Sequence, residues 1–183
     1  MKRETVAENK WMGMYQILDD RPYTYASRRP VGKQHMDGGQ TADAVTVIAL
    51  HGEEIVFIKN NNRPVIGEPQ LELPAGMIDE GETVMEAGIR ELKEETGLTF
   101  NEEDNPLVIP KCFKSAGFTD ESTGLLIGSC FGEPSKEFQE DNEDIDVIIC
   151  GPQDLKRIIE EEGCQMSISV GIFYAIATSR YPS

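Results

Sequence analysis

Apolar and polar positions alternate with two different periods along this chain of 183 residues. A period of two marks "YTYASR" (23–28) and "DAVTVIAL" (43–50), both rich in β-branched and aromatic residues, and "HGEE" turns the second into "IVFIK" (55–59), which predicts a hairpin. "LELP" (71–74) alternates in the same way and stops at Pro74. Further strands are expected at 108–113, 125–131 and 146–150. A helix is expected to open at Pro152 and run towards Gly163, and "SISVGIFYAIATSR" (167–180) reads as a last, mostly apolar helix. Together these elements describe a mixed α and β domain without internal repeats, low-complexity segments or an interdomain linker.

The period changes to 3.6 in "GMIDEGETVMEAGIRELKEETGL" (76–98). Met85, Ile89, Leu92 and Thr96 fall on one stripe, which is expected to pack on the sheet. Glu91, Glu94 and Glu95 share another arc, about 100° wide. Like charges at i and i+4 cost an isolated helix roughly 0.2–0.5 kcal/mol per pair, so this arc is locally unfavourable unless a cation sits over it. Magnesium suits such a place, being hard, oxygen-seeking and commonly shared between a few carboxylates and substrate phosphates. Arg90, one turn from both Glu86 and Glu94, is expected to hold the carboxylates in place, and Gly97 supplies the left-handed residue that ends the helix. For "ELKEE" taken alone, a solvated glutamate face is the competing reading.

Charge narrows the function classes. A formal charge of −16 argues against a general nucleic-acid binder, but a small phosphate ligand remains compatible if a cation lies between it and the protein. No run reaches the roughly 18 apolar residues of a membrane span, and "MKRETVAENKWMGMYQ" lacks the apolar centre of a signal peptide, so the chain is expected to be soluble and cytoplasmic. Cysteines 112, 130, 150 and 164 are scattered singly, which predicts buried, reduced thiols.

The glutamate-rich helix is one part of a longer pattern. The segment fits Gx5Ex7REUxEExGU, with U apolar, at Gly76, Glu82, Arg90, Glu91, Leu92, Glu94, Glu95, Gly97 and Leu98. With ordinary residue frequencies, chance gives such a match well below roughly one in a million per starting point. The pattern resembles the signature of the Nudix hydrolases. That resemblance implies an α/β/α sandwich around a mixed sheet, preceded here by N-terminal strands, with the motif forming a loop, helix and loop. It also implies hydrolysis, dependent on Mg2+ or Mn2+, of a nucleoside diphosphate linked to another group. By the same resemblance Glu91 and Glu95 are the principal metal ligands, Glu94 is a further ligand or base, and the carbonyl of Ala75 is a main-chain ligand. Glu82 and Arg90 support that shell by hydrogen bonding.

Stretches outside the motif resemble the ADP-sugar diphosphatase branch of that family: "QTADAVTVIAL" (40–50), "NNNRPVIG" (60–67) and "LELPAGMIDEGET" (71–83). The likeness implies that Arg63 faces the diphosphate, that Asp43 lies at the adenine end, that Arg28 reaches across a dimer and that Tyr23 stacks on the base. An ordinary exposed strand residue is the competing reading for Tyr23 and Arg28. "SAGFTDES" (115–122) is similar to the branch's segment S-P-G-x-T/S-x-E, so Ser115, Gly117 and Glu121 are expected on the substrate side, Glu121 near a ribose. Ala116 stands where the marker proline of ADP-ribose preference would be. "EDNEDIDV" (140–147) resembles the acidic loop that closes over the metals, with Glu143 proximal to them and Asp141 beside it. The expected substrate is ADP-ribose, with other nucleotide sugars, dinucleotides and coenzyme A as rivals. A non-catalytic ligand sensor and an acidic metal-buffering protein are the readings from other classes. Residues 1–40 are expected to form an arm with strands that builds a homodimer, and residues 41–183 the hydrolase domain, with no nucleic-acid or membrane partner.

Overall fold

The computed structural model describes residues 2–38, 41–140, 143–162 and 165–180. The hairpin expected at "HGEE" forms as β4 (Ala44–His51) and β5 (Glu54–Asn60), antiparallel with Leu50 opposite Ile55 and with Gly52 in the turn at φ 66°. Beyond the turn the two strands part. The other half of β4 pairs with β7 (Ala75–Met77), while β5 pairs with β6 (Gln70–Glu72) and with β11 (Ile145–Cys150), all antiparallel. On the opposite side of β4, β10 (Ser122–Phe131) runs parallel to it from Thr123 opposite Ala44 to Cys130 opposite His51. β8 (Thr99–Phe100) and β9 (Leu107–Phe113) pair antiparallel with β10, and β12 (Gln165–Met166) runs parallel to β6, which completes a mixed sheet.

Helices cover both faces of this sheet because its strands are apolar on both. α1 (Val84–Thr96) buries Ala87 and Leu92 against Val45, Val47, Ala49, Val56, Leu98 and Leu126. Across the sheet, Phe57, Leu71, Leu73 and Cys150 meet Leu155 and Ile158 of α2 (Pro152–Glu162) and Val170 of α3 (Ile168–Arg180). Val56 faces one layer and Phe57 the other, as the two-residue period of a strand requires. The α/β/α sandwich is therefore present.

Three expectations need correction. The 3.6-residue period assigned to 76–98 becomes helix only from Val84, since residues 75–77 extend as β7 and Thr83 then caps the helix in a reciprocal box with Glu86. The docked stripe is shifted: Ala87, Gly88, Glu91, Leu92, Glu95 and Thr96 are buried, while Met85 and Ile89 are only partly so. Gly88 explains the shift, because a Cβ there would stand 2.7 Å from Cδ2 of Leu126 and 3.2 Å from Cγ2 of Val45, so the helix rests on its glycine. Finally, Cys112 is only half-buried, whereas Cys130 and Cys150 are buried with thiols that burial pushes up to about 11; Cys164 lies outside the described residues.

Gly97 closes α1 for two reasons. It adopts φ 75°, and a Cβ on it would lie 2.7 Å from the backbone nitrogen of Ser135, whose N–H donates to the Thr96 carbonyl. Gly97→Ala is expected to cost about 2–3 kcal/mol, combining left-handed strain with a clash against backbone that cannot swing aside, and to lower the thermal midpoint by roughly 5–10 °C in a melting scan.

A second, three-stranded sheet is formed by β1 (Arg3–Glu8), β2 (Gly13–Ile17) and β3 (Tyr23–Ser27). Arg3 ties it to the turn that follows, donating to Gln34 at 2.8 Å and to Asp37 at 2.5 Å. Ala26 ties it to the main body, its N–H donating to the Phe118 carbonyl at 3.0 Å. Among the described residues no helix is long and apolar enough to cross a membrane.

Candidate active site

Arg90 organises the loop, helix and loop of the motif. Its Nε and Nη2 donate to the two oxygens of Glu82, each at 2.9 Å, and Nη2 also donates to the Met77 carbonyl. Nη1 donates to Glu91 at 2.8 Å and to Glu94 at 3.0 Å. Glu82 accepts the Asp79 N–H as well, and this set, Arg90 foremost, holds its carboxyl down at about 2. Glu86, expected as a partner of Arg90, instead spends its carboxylate on the N-cap.

The glutamates on the expected arc differ sharply in environment. Glu94 is partly exposed on the helix surface, whereas Glu91 and Glu95 are buried, Glu95 to 3% exposure. Glu95 is held by the Ala75 N–H at 2.9 Å. Burial drives its pKa well above 4.5, against that hydrogen bond, and the charges of Glu91, Glu143 and Glu72 push the same way. Burial likewise raises Glu91, against Arg90, with Glu94 and Glu143 adding to the rise. Gly76 provides the space: a Cβ there would fall 2.0 Å from Cδ of Glu91.

The divalent ion implied by the resemblance fits this donor set. Two buried carboxylates, Glu91 and Glu95, crowd one another with incomplete compensation, and every ligand on offer is a hard oxygen. Among the described residues no three acidic, histidine or cysteine side chains form an ion-enclosing cluster. Glu143, at the edge of the acidic loop, turns its carboxylate back onto the Glu140 N–H at 3.0 Å while remaining within charge range of Glu91 and Glu95. Asp141 lies outside the described residues.

The remaining candidates occupy two neighbouring places. Arg63 lies against the carboxylates, its Nε and Nη2 donating to both oxygens of Glu72 at 2.5 Å. Asp43 is 8% exposed and enclosed: it accepts from Arg29 Nε at 2.6 Å and from the Ser122 N–H and hydroxyl, each at 2.9 Å, with His35 Nε2 at 3.1 Å. Although burial opposes ionisation, these partners hold its pKa below the ordinary value. Its carbonyl accepts the Ile78 N–H, which ties this knot to the motif loop.

Arg28 and Lys114 both pair with Glu121, at 3.6 and 3.3 Å. Ser115 contributes a carbonyl that accepts the Phe118 and Thr119 N–H groups, and Gly117 accepts the Tyr23 hydroxyl. Tyr23 lines a largely apolar cleft of about 410 Å3 together with Tyr25, His35, Met36, Phe113 and Ala116.

The structure thus gathers Glu82, Glu91 and Glu94 about Arg90, with Glu95 bound to Ala75 and within charge range of Arg63, and it gathers Tyr23, Arg28, Ser115, Gly117 and Glu121 where the small sheet meets the loop before β10. Sequence reasoning missed Glu72, Arg29, His35 and Ser122. Glu72 carried a usable signal, a charge set between two leucines of a short strand; the other three are joined by pairings that no local pattern shows.

Comparison with known proteins bears on the family and the fold. The NUDIX domain profile matches residues 40–162. An ADP-sugar pyrophosphatase of Mus musculus is 36% identical over 99 residues, 51% of this chain and 45% of that one, so the chain spans less than half the length of that relative. An ADP-ribose pyrophosphatase of Bacillus subtilis is 27% identical over 161 residues, 86% of this chain and 80% of that one. A crystal structure of an ADP compounds hydrolase superposes with a TM-score of 0.67 at 17% identity, covering 98% of this chain and 91% of the other, which speaks for the fold. With the signature complete from Gly76 to Leu98, folded about Arg90, and a family match over more than half of its length, the chain belongs to the Nudix family.

Proposed function

We propose that this protein hydrolyses the diphosphate of a nucleoside diphosphate sugar, cleaving ADP-ribose to AMP and ribose 5-phosphate. The observation that carries the reading is the pair of buried, crowded carboxylates Glu91 and Glu95, with Arg63 within charge range of Glu95, where a divalent cation would relieve the repulsion and a diphosphate would share it. The names of the mouse and Bacillus relatives support the substrate class.

Held by Glu91, Glu95 and the Ala75 carbonyl, with Glu94 or Glu143 as a further ligand, Mg2+ would neutralise the diphosphate and acidify a bound water. Arg63 orients the diphosphate with the outer edge of its guanidinium. Glu143, close to the site yet on a surface loop, accepts the proton of the attacking water, with Glu94 as the other candidate base. Water oxygen bonds to one phosphorus as the bridging P–O bond breaks, and the bridging oxygen leaves with the second phosphate. Tyr23 and its cleft take the base, and Arg28, Ser115, Gly117 and Glu121 line the ribose side.

The test is a panel of nucleoside diphosphate derivatives with Mg2+, read as phosphate after a phosphatase is added. ADP-ribose is expected to be turned over fastest. Faster cleavage of another nucleotide sugar, a dinucleotide or coenzyme A reassigns the substrate, an outcome that Ala116 makes worth including; no cleavage of any member ends the proposal.

Residues 1–40 are proposed as the dimer-forming arm of a cytoplasmic enzyme whose hydrolase domain is 41–183. The small sheet leaves Val6, Trp11, Met12 and Met14 exposed, the apolar surface that a second copy would cover. Light scattering is expected to give twice the chain mass, and a fully active monomer would remove the dimer.

A further inference from the structure

Glu72 is a buried acid without a role in the motif. Leu71 and Leu73 face the α2–α3 layer, so the strand period turns Glu72 to the α1 side, where it stands opposite Ile58 of β5. Both of its oxygens accept from Arg63, Nε to Oε1 and Nη2 to Oε2. The Glu72 side chain is 12% exposed and that of Arg63 42%, so the pair is anchored on the inside and open on the outside. Among the described residues Nη1 of Arg63 makes no hydrogen bond. Glu72 lies within charge range of Glu95, and Glu95 within that of Arg63, so the pair borders the buried carboxylates.

We infer that Glu72 is a positioning residue, which grips Arg63 along one edge of its guanidinium and leaves the other edge facing a diphosphate above Glu91 and Glu95. A free arginine loses side-chain entropy when a ligand immobilises it; a bidentate carboxylate settles that loss on folding. Glu72 itself touches no substrate atom. The identity of the anion rests on the proposed hydrolysis, but the brace does not.

Two measurements separate these layers. In 15N NMR of the ligand-free protein, the Arg63 Nε–H signal is expected to be sharp and slow to exchange, and to broaden or vanish in Glu72→Gln; an unchanged signal overturns the inference whatever the substrate. In kinetics on ADP-ribose with Mg2+, Glu72→Gln is expected to raise KM about 10- to 100-fold with kcat nearly unchanged, and to add less than twofold when placed in Arg63→Ala. Equal losses in both backgrounds, or a loss confined to kcat, would show Glu72 acting without Arg63 and overturn it. Glu72→Asp, which keeps the charge but cannot span both nitrogens, is expected to give the same loss in KM at smaller size and covers the case in which the glutamine variant folds poorly. If the parent cleaves no member of the panel, the proposed hydrolysis falls and the NMR result alone decides the brace.

Discussion

Replacing Glu95 with glutamine is expected to lower kcat about a thousandfold, roughly 4 kcal/mol of transition-state stabilisation, while the metal-free protein melts slightly higher. Both halves follow from burial. Glu95 sits at 3% exposure with its carboxyl pKa raised well above 4.5 by desolvation. A folded-state pKa above the unfolded value means that the group stabilises the fold below about pH 4.5 and that this contribution is lost as pH rises through the raised value. At neutral pH the ionised form is therefore a cost to the fold, and glutamine, which can still accept the Ala75 N–H, removes it. A gain of about 1 kcal/mol would raise the midpoint by roughly 2–4 °C. Calorimetry with and without Mg2+ completes the test. The ion at ten times its Kd is expected to stabilise the parent by about 1.4 kcal/mol and the variant by much less, and chelation is expected to abolish turnover. A Glu95→Gln enzyme that keeps parental kcat at millimolar Mg2+ would refute the metal role.

Gly76→Ala is expected to act on the same site by steric means alone, cutting kcat/KM about a hundredfold with little loss of stability. The added Cβ would stand 2.0 Å from Cδ and Oε1 of Glu91, a contact that cannot persist. What yields is the end of a flexible side chain, not backbone, so the fold adjusts cheaply. The cost falls on chemistry, because a ligand displaced by about 1 Å loses on the order of 100-fold in rate. The contrast with Gly97→Ala is diagnostic, since there the obstacle is the backbone of Ser135 and stability is what suffers. Melting curves and steady-state kinetics on the two variants should therefore show opposite patterns. Parental activity in Gly76→Ala would mean that Glu91 works from another position.

Both effects depend on details of different legibility. The motif, the helix and its end could be read from sequence because their determinants are local: Gly97 at C′ and the carboxylates about Arg90 lie within a few residues of one another. Strands β3, β4, β5 and β11 were legible because runs of β-branched and aromatic residues mark a strand whatever its partners. β7, β8 and β12, two or three residues each, were not, since so short a strand exists only through its neighbour.

The amino-acid sequence by itself determined the family, the mixed α/β architecture and which acids stand near one another. Only the tertiary structure decided which of those acids are buried. Angles on a helical wheel grouped Glu91, Glu94 and Glu95 together, but the close approach at Gly88 rolled α1 so that Glu91 and Glu95 turned inward and Glu94 remained at the surface. The same holds for Arg63, brought to Glu72 by the pairing of β5 with β6, and for Asp43, enclosed by Ser122 from 79 positions away. A carboxylate's charge and reactivity are set by the dielectric and the partners around it, and those come from contacts distant in sequence, where no local periodicity reaches.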